Sequence, residues 1–196
     1  MTDGAISNRP AEEKIIRLRL NELHLFKGYS ALNGIMPRNQ PYLVRDEDPS
    51  MVRLIARIKA RGVRQPALVR PDPEGGYEII DGHRRYRASE LAERPDMPVI
   101  IRDLSDEEAV AEMVDGNVQR ENVLPSERAW AYRMYLEADK KRAGRPAKNS
   151  PKISANFRSD DEVGKSLGIS GDTLRNYIQL THLCPELMAM VDERKI

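Results

Sequence analysis

The chain has 196 residues, 40% of them hydrophobic, a size that fits one medium domain or two small ones and suffices for a packed core. Charged residues make up 32% and nearly cancel to +1, so overall charge selects no partner, and a single cysteine, Cys184, excludes an intrachain disulfide and gives no sign of an oxidising compartment. The three histidines and that cysteine match no zinc spacing, "MTDGAISNRPAEEK" has no apolar signal core, and no run approaches the roughly 18 apolar residues of a membrane span. These features predict a soluble cytoplasmic protein with no membrane partner. Charge is informative locally: Ser105 to Asp139 holds nine acids and three bases, whereas Lys140 to Arg158 holds seven bases and no acid.

In chain order, "IIRLRLNELHLF" (Ile15 to Phe26) alternates apolar and polar residues as a half-buried strand does. Lys27 to Arg45, rich in Gly, Pro and Asn, reads as a loop. Asp48 is placed to cap a helix with Pro49 in its first turn; Met51, Leu54, Ile55 and Ile58 follow at helical spacing, and the helix ends near Gly62. "QPALVRP" (Gln65 to Pro71) predicts a strand, "PDPEGG" a turn and "YEII" a second strand.

The next helix opens directly after Asp81-Gly82, with His83, Arg84, Arg85 and then Arg87 in its first turns. A helix N-terminus carries partial positive charge, so cations there cost roughly 0.3 to 1 kcal/mol each. A bound anion would reverse that sign, and the placement therefore predicts an anion site. The competing structural reading pairs Arg84 and Arg85 with the acidic helix that follows, Ser105 to Asp115.

"MPVIIRDL" (Met97 to Leu104) predicts a further strand, and Ser105-x-x-Glu108 is a capping box opening a helix to about Gly116. Pro125 starts a longer helix through Asp139, whose Trp130, Met134 and Ala138 stripe reads as core rather than as a base-stacking platform. The order β-α-β-β-α-β-α-α predicts a compact mixed α/β domain with a helical continuation. Lys140 to Arg158 exceeds the roughly 12 to 15 residues of an ordinary structureless loop and reads as a basic linker. Its Lys140, Lys141 and Arg142 are expected to contact phosphates without sequence choice, which makes binding salt-dependent.

Past the linker, Ser159-x-x-Glu162 is a second capping box. "DDEVGKSLGISGDTLRNYIQLTHL" then sets two short helices about a glycine turn, Gly168, with Ser170 capping the second: the sequence form of a helix-turn-helix. Val163, Leu167, Ile169, Leu174 and Ile178 are the expected buried positions. Gly171, Asp172, Arg175, Asn176 and Gln179 form the expected outer face, joined at the helix start by Ser170 and Thr173. Arg, Asn and Gln make bidentate bonds to base edges, so this face predicts specific contact with double-stranded DNA. The bland alternative is a helical hairpin that binds protein or completes a core.

Three stretches resemble the ordered boxes of the ParB family of plasmid and chromosome partition proteins, whose N-terminal domain is related in fold to sulfiredoxin. "GVRQPALVRP" resembles the first nucleotide box. "DGHRRYRASELA" resembles the arginine box, usually Gly-Glu-Arg-Arg, and "DGNVQRENVLPSERAWAY" the third box, usually Glu-Asn-x-Gln-Arg. The resemblance runs from about Leu18 to Val191. It implies an α+β fold: a ParB/sulfiredoxin-like mixed α/β N-terminal domain over residues 15–117, a helical connector over 118–139, the basic linker over 140–158, and an all-α helix-turn-helix domain over 159–196.

The resemblance also implies CTP binding with Mg²⁺, through Gln65, Pro66, Gly82, His83, Arg84, Arg85, Asn117 and Arg120. A homodimer would close as a clamp on DNA, associated with nucleoid or plasmid, with a partition ATPase as a further partner. Two residues depart from the pattern. His83 stands where relatives carry a glutamate linked to hydrolysis, and Gly116 where they carry a metal-binding glutamate. A neutral imidazole beside two arginines is a poor metal ligand and a poor general base, so the departures argue against hydrolysis more than against anion binding, and no metal ligand is assigned. His83 is read as a capping or hydrogen-bonding residue near the turn.

After "CPELMAMVDERKI" no C-terminal dimerisation domain is evident, and the ATPase-stimulating motif of relatives is not recognisable near the N-terminus. Two rival readings are a ParB-like transcriptional regulator that uses no nucleotide, and a phosphoryl-transfer enzyme of the same superfamily, although no Walker-type loop is present. Sulfiredoxin chemistry needs a cysteine where His83 stands, and Cys184 lies in the other module.

Overall fold

The alternating N-terminal run does not remain one strand. In the computed structural model, which describes residues 14–118, 120, 122–144 and 159–196, Ile15–Arg19 forms β1, a single 3₁₀ turn covers Leu20–Glu22, and Leu23–Leu25 forms β2. The reason is topological. Ala67–Pro71 (β3), Tyr77–Asp81 (β4) and Asp96–Ile101 (β5) complete a sheet ordered β1-β5-β3-β4-β2, so consecutive β1 and β2 occupy opposite edges. In a flat five-stranded sheet those edges lie about 19 Å apart, whereas a three-residue 3₁₀ turn rises only about 6 Å. The sheet therefore curls until its edges approach. Glu22 fixes the corner by accepting the Arg19 N–H at 2.9 Å, and the Leu20 N–H donates to the Pro95 carbonyl at 3.1 Å.

Within the sheet β1 runs antiparallel to β5, with Ile16 opposite Val99; β3 is parallel to β5 and antiparallel to β4; β2 is parallel to β4. Side-chain alternation then divides the faces. Ile79 packs with Leu18, Leu23, Val69 and Val99 on one side, and Ile80 turns into the helical core on the other. Glu78 is buried, yet its carboxylate accepts the Lys27 N–H and the Arg70 Nε, each at 2.6 Å. Arg70 also reaches the Leu104 carbonyl at 3.1 Å and Asp106 at 2.8 Å. A buried carboxylate costs several kcal/mol unless so partnered, and here the partners tie β3, β4 and the following helix into one register.

Helix Pro49–Arg61 (α1) is capped by Asp48, which accepts the Ser50 N–H at 2.9 Å, and stops at Gly62, φ 72°. It packs on His83–Leu91 (α2) through Met51, Ile58, Ala88 and Ala92. Ser105 and Glu108 exchange the two capping-box hydrogen bonds that open Asp106–Val118 (α3). α3 lies on β4, and Pro125–Gly144 (α4) lies on α3.

One expectation is filled out and another changes. Lys27 to Arg45 is a loop, with a 3₁₀ turn at Ser30–Leu32, and it is packed as a strap: Tyr29, Leu32 and Tyr42 are buried in the main core beside Phe26. The basic linker does not begin at Lys140. α4 still buries Leu136 and Ala138 there, and its last-turn cations find acids: Lys140 pairs with Glu137 at 3.0 Å, Lys141 with Glu107 at 3.2 Å, Arg142 with Asp139 at 3.1 Å. Residues 145–158 of the expected linker lie outside the described residues.

Asp160–Ser166 (α5), Gly171–Leu180 (α6) and Pro185–Asp192 (α7) follow. Val163, Leu167 and Leu174 enter the same core as Tyr132 and Met134 of α4, and Tyr177 meets Tyr132 edge-on at 5.3 Å. Ser126 donates from its N–H and hydroxyl to Asp192 at 2.9 and 2.6 Å, and Arg133 donates to the Thr181 hydroxyl at 2.7 Å. The helix-turn-helix is thus seated on α4. Among the described residues no helix is long and apolar enough to cross a membrane.

Candidate functional site

β4 runs into α2 through Gly82 alone. At φ 105° that residue occupies the left-handed region, and a Cβ on it would lie 2.8 Å from the Ala67 Cβ, so the turn needs glycine for both conformation and space. No side chain caps α2, which leaves first-turn N–H groups unanswered by a capping oxygen.

The cations around this turn divide. Arg85 donates to the Gln65 and Pro66 carbonyls at 3.0 and 2.6 Å and to Asp81 at 2.5 Å. Arg87 grips Asp46 of the strap, at 2.6 Å from Nη2 and 3.1 Å from Nε. Neither turns to the acidic helix α3, whose Asp106, Glu112 and Glu107 take Arg70, Arg102 and Lys141. Arg84 bonds no carboxylate among the described residues; it donates to the Ser50 hydroxyl in the first turn of α1.

A cleft of about 360 Å³ opens here. It is lined by Gln65, Gly82, His83, Arg84 and Arg85 from one side and by Asn117 and Arg120 from the end of α3. The separately predicted nucleotide residues therefore converge, except that Pro66 takes part only through the carbonyl that holds Arg85. Asn117 is buried, donates to the Met113 carbonyl at 2.8 Å and accepts from Arg120 at 2.8 Å, which fixes that guanidinium beside the cleft. The sequence reading missed the strap, whose Gln40, Tyr42, Leu43 and Val44 form another wall. Its signal was a tyrosine amid Gly, Pro and Asn: burial pushes the Tyr42 hydroxyl well above its ordinary range, and the Leu43 N–H donates to buried Glu127 at 2.8 Å. On the far side of the strap lies a second cleft of about 800 Å³, and His83 lines both.

His83 is buried, its ring bonds the Ile79 carbonyl, and its Nε2 has no partner. Burial is the main cause that pushes its pKa down to about 4; the nearby Asp81 charge opposes this and the Arg85 charge reinforces it. The ring is neutral at neutral pH and adds no charge to the arginine turn.

The donors present do not fit a magnesium ion held by the protein. Such an ion wants hard oxygen ligands in octahedral array. Here Asp81 is committed to Arg85, Gly116 has no side chain and Asp115 is exposed. Among the described residues no group of three His, Cys, Asp or Glu side chains could hold a metal.

On the helix-turn-helix, Asp172, Arg175, Asn176 and Gln179 are exposed. Gly171, expected on that face, is instead buried. A Cβ there would lie 3.0 Å from the Asp161 Cα, and one on Gly164 would lie 3.0 Å from the Gly171 nitrogen, so these two glycines let α5 and α6 approach. Ser170 accepts the Thr173 N–H at 3.1 Å and the two hydroxyls sit 2.8 Å apart, which gives both a capping role. Arg175 pairs with Asp172 at 2.6 Å and Asp160 at 3.4 Å, and stays half exposed. Met134 and Ala138 are core, as the stripe implied, but Trp130 is only partly buried, under the Arg133 guanidinium at 5.5 Å.

Residues 31–118 match the ParB N-terminal domain family. Over 165 residues the chain is 30% identical to the chromosome-partitioning protein Spo0J of Thermus thermophilus, covering 84% of this chain and 54% of that one. Its fold is similar to the C-terminally truncated chromosome-partitioning protein ParB of Caulobacter crescentus complexed to the centromeric parS site, with TM-score 0.54 and 21% identity over 92% of this chain and 79% of that one. The same protein complexed with CTP-gamma-S gives TM-score 0.45 and 24% identity over 93% and 86%. The chain spans about half the length of the curated relatives it matches.

Proposed function

We propose that the chain, whose residues 31–118 match the ParB N-terminal domain family, is a sequence-specific DNA-binding protein of the partition type whose N-terminal domain takes up a nucleotide, CTP. The observation that carries this reading is the convergence of the α2 turn with Asn117 and Arg120 on one cleft. Helix N–H groups and guanidinium forks both favour an oxyanion. Arg84 and Arg120 are the cations at hand for phosphates, while Arg85 holds the turn in shape.

The same cleft is walled by the strap, which Glu127 fastens to the start of α4 by accepting both the Leu43 and Leu124 N–H groups. α4 seats the helix-turn-helix, so occupancy of the cleft bears on how the reading face of α6 is presented. On this reading Arg175, Asn176 and Gln179 choose the site on double-stranded DNA, and nucleotide uptake alters how a homodimer sits on it, with nucleoid or plasmid association as the result and a partition ATPase as the further partner. A neutral, buried His83 and the missing carboxylates favour a switch that works without hydrolysis.

The test is equilibrium binding of CTP, against ATP and GTP, with and without magnesium. CTP-selective binding is expected, weakened about tenfold or more by Arg84→Ala with little change in stability. Arg85→Ala is expected to act on stability instead, by about 1 to 3 kcal/mol, because two carbonyls and a carboxylate lose their donor. No nucleotide binding would leave a plain DNA-binding regulator whose arginine turn holds a DNA phosphate or a protein carboxylate.

A further inference from the structure

Between Pro49 and Pro71 the chain carries six bases and no acid, and Arg53, Arg57, Lys59, Arg61 and Arg64 among them are exposed. The near-zero net charge conceals this. Several arginines elsewhere are answered: Arg70, Arg87, Arg102 and Arg175 each reach a carboxylate. Arg57, Arg61 and Arg64 reach none among the described residues.

These side chains also converge. The second half of α1 and the turn after Gly62 enclose a cleft of about 280 Å³ lined by Arg57, Arg61, Arg64 and Arg85 beside Leu54 and Ile58. Arg94 joins them, with Nη2 3.5 Å from where a Gly62 Cβ would sit. Of the four lining arginines only Arg85 has a carboxylate partner, Asp81. Like charges gathered this way repel, and an anion among them turns the repulsion into attraction. The arrangement is also extended. Arg53, Arg57 and Arg61 recur every four residues, about 6 Å along the helix axis, a spacing close to two phosphates of one strand counted at about 3.4 Å each along the duplex axis. A row of that length suits a polyanion better than one small ligand.

We propose that this cleft and the α1 row are a phosphate-binding surface that adjoins the nucleotide cleft at Leu54, Gln65 and Arg85 but is built on Arg57, Arg61 and Arg64 rather than on the α2 N-terminus, and that its ligand is the backbone of duplex DNA, contacted without regard to sequence. The inference rests on the DNA-binding reading above and adds a second contact surface to it. It gives the N-terminal domain a hold on DNA independent of the bases that α6 reads.

The experiment uses the full chain and a duplex of arbitrary sequence, with affinity followed against salt. Arg57, Arg61 and Arg64 are changed together to Gln in one variant and to Lys in another. Each lost phosphate contact lowers the slope of log affinity against log salt by about 0.9, so the Gln variant is expected to be shallower by about two to three, the Lys variant to keep most of the slope, and CTP binding to be unchanged in both. An unaltered slope in the Gln variant overturns the proposal. So does loss of CTP binding with the slope intact, which would assign the cleft to the nucleotide, or displacement of the duplex from the row by polyglutamate as readily as by competing DNA, which would assign it to acidic protein. A wild-type chain that retains no duplex at all removes the DNA reading itself, whereas a wild-type chain that binds with the slope its Gln variant shows removes the second surface alone.

Discussion

α2 and α6 start from the same backbone problem and solve it in opposite ways. Both expose first-turn N–H groups directly after a short turn. At α6 the Ser170 side chain accepts the Thr173 N–H, and Asp172 supplies negative charge in the first turn. At α2 no side chain caps, the first turn holds no acid, and His83, Arg84 and Arg85 stand where charge is least welcome. Asp81 and Asp46 answer Arg85 and Arg87 but leave Arg84 and the N–H groups. A helix completed within the chain, α6, presents its flank, where Asn176 and Gln179 stand exposed beside the paired Arg175. A helix left incomplete, α2, presents its end, and a local rule broken at one place marks a site.

The sharpest way to break this comparison is at the glycines that open the two motifs. Gly82→Ala meets a conformational penalty of about 1 to 2 kcal/mol at φ 105° and a clash with Ala67 that adds about 1 to 3 kcal/mol. Gly168 of the helix-turn-helix also sits at positive φ, 73°, but a Cβ there would meet nothing within 4 Å. Gly168→Ala is therefore expected to cost only the first part. Denaturant unfolding of both variants checks this. Equal losses would show that β3 does not constrain the arginine turn.

A next, comparable effect is pH dependence carried by His83. Its folded pKa, about 4, lies below the ordinary 6.5, so the unfolded chain binds the proton first. The stability it contributes is fully present above about pH 6.5 and is lost as pH falls through that value toward 4, on the order of 3 kcal/mol in all. His83→Asn removes the titrating ring, and its unfolding free energy should be flatter over that window than that of the wild type. α6 has no histidine, and an unchanged slope in the variant would place the acid sensitivity elsewhere.

Local grammar was legible wherever one residue decides. Asp48, Ser105, Ser159 and Ser170 all cap the helices that their spacing announced. The arginine turn was legible because it offends the helix dipole. What stayed hidden depends on contacts far apart in sequence. Alternation slips by one residue at the polar pair Asn21-Glu22 and then resumes, and it is the strand order, with β1 and β2 on opposite edges, that turns this slip into a break between two strands. Helical periodicity puts Gly171 outside, but the approach of α5 buries it. Arg85 reads as an unpartnered cation until the fold brings the Gln65 and Pro66 carbonyls to it. The strap reads as loop because its composition is that of a loop, and Tyr42 gains a core only once α4 is beneath it.

The smallest expected effect sharpens the comparison most finely. Ser170→Ala deletes the cap and makes the start of α6 resemble that of α2 in hydrogen bonding but not in charge, since Asp172 remains. An N-cap serine replaced by alanine costs about 1 kcal/mol. Because Leu174 is locked into the core shared with α4, the loss should appear mainly as faster amide exchange at Gly171 to Thr173, with the cleft at Arg84 and Arg120 unaltered in nucleotide affinity. If exchange there does not change, capping is not what separates the two helix starts, and the anion affinity assigned to α2 must come from its guanidinium groups rather than from its open N–H groups.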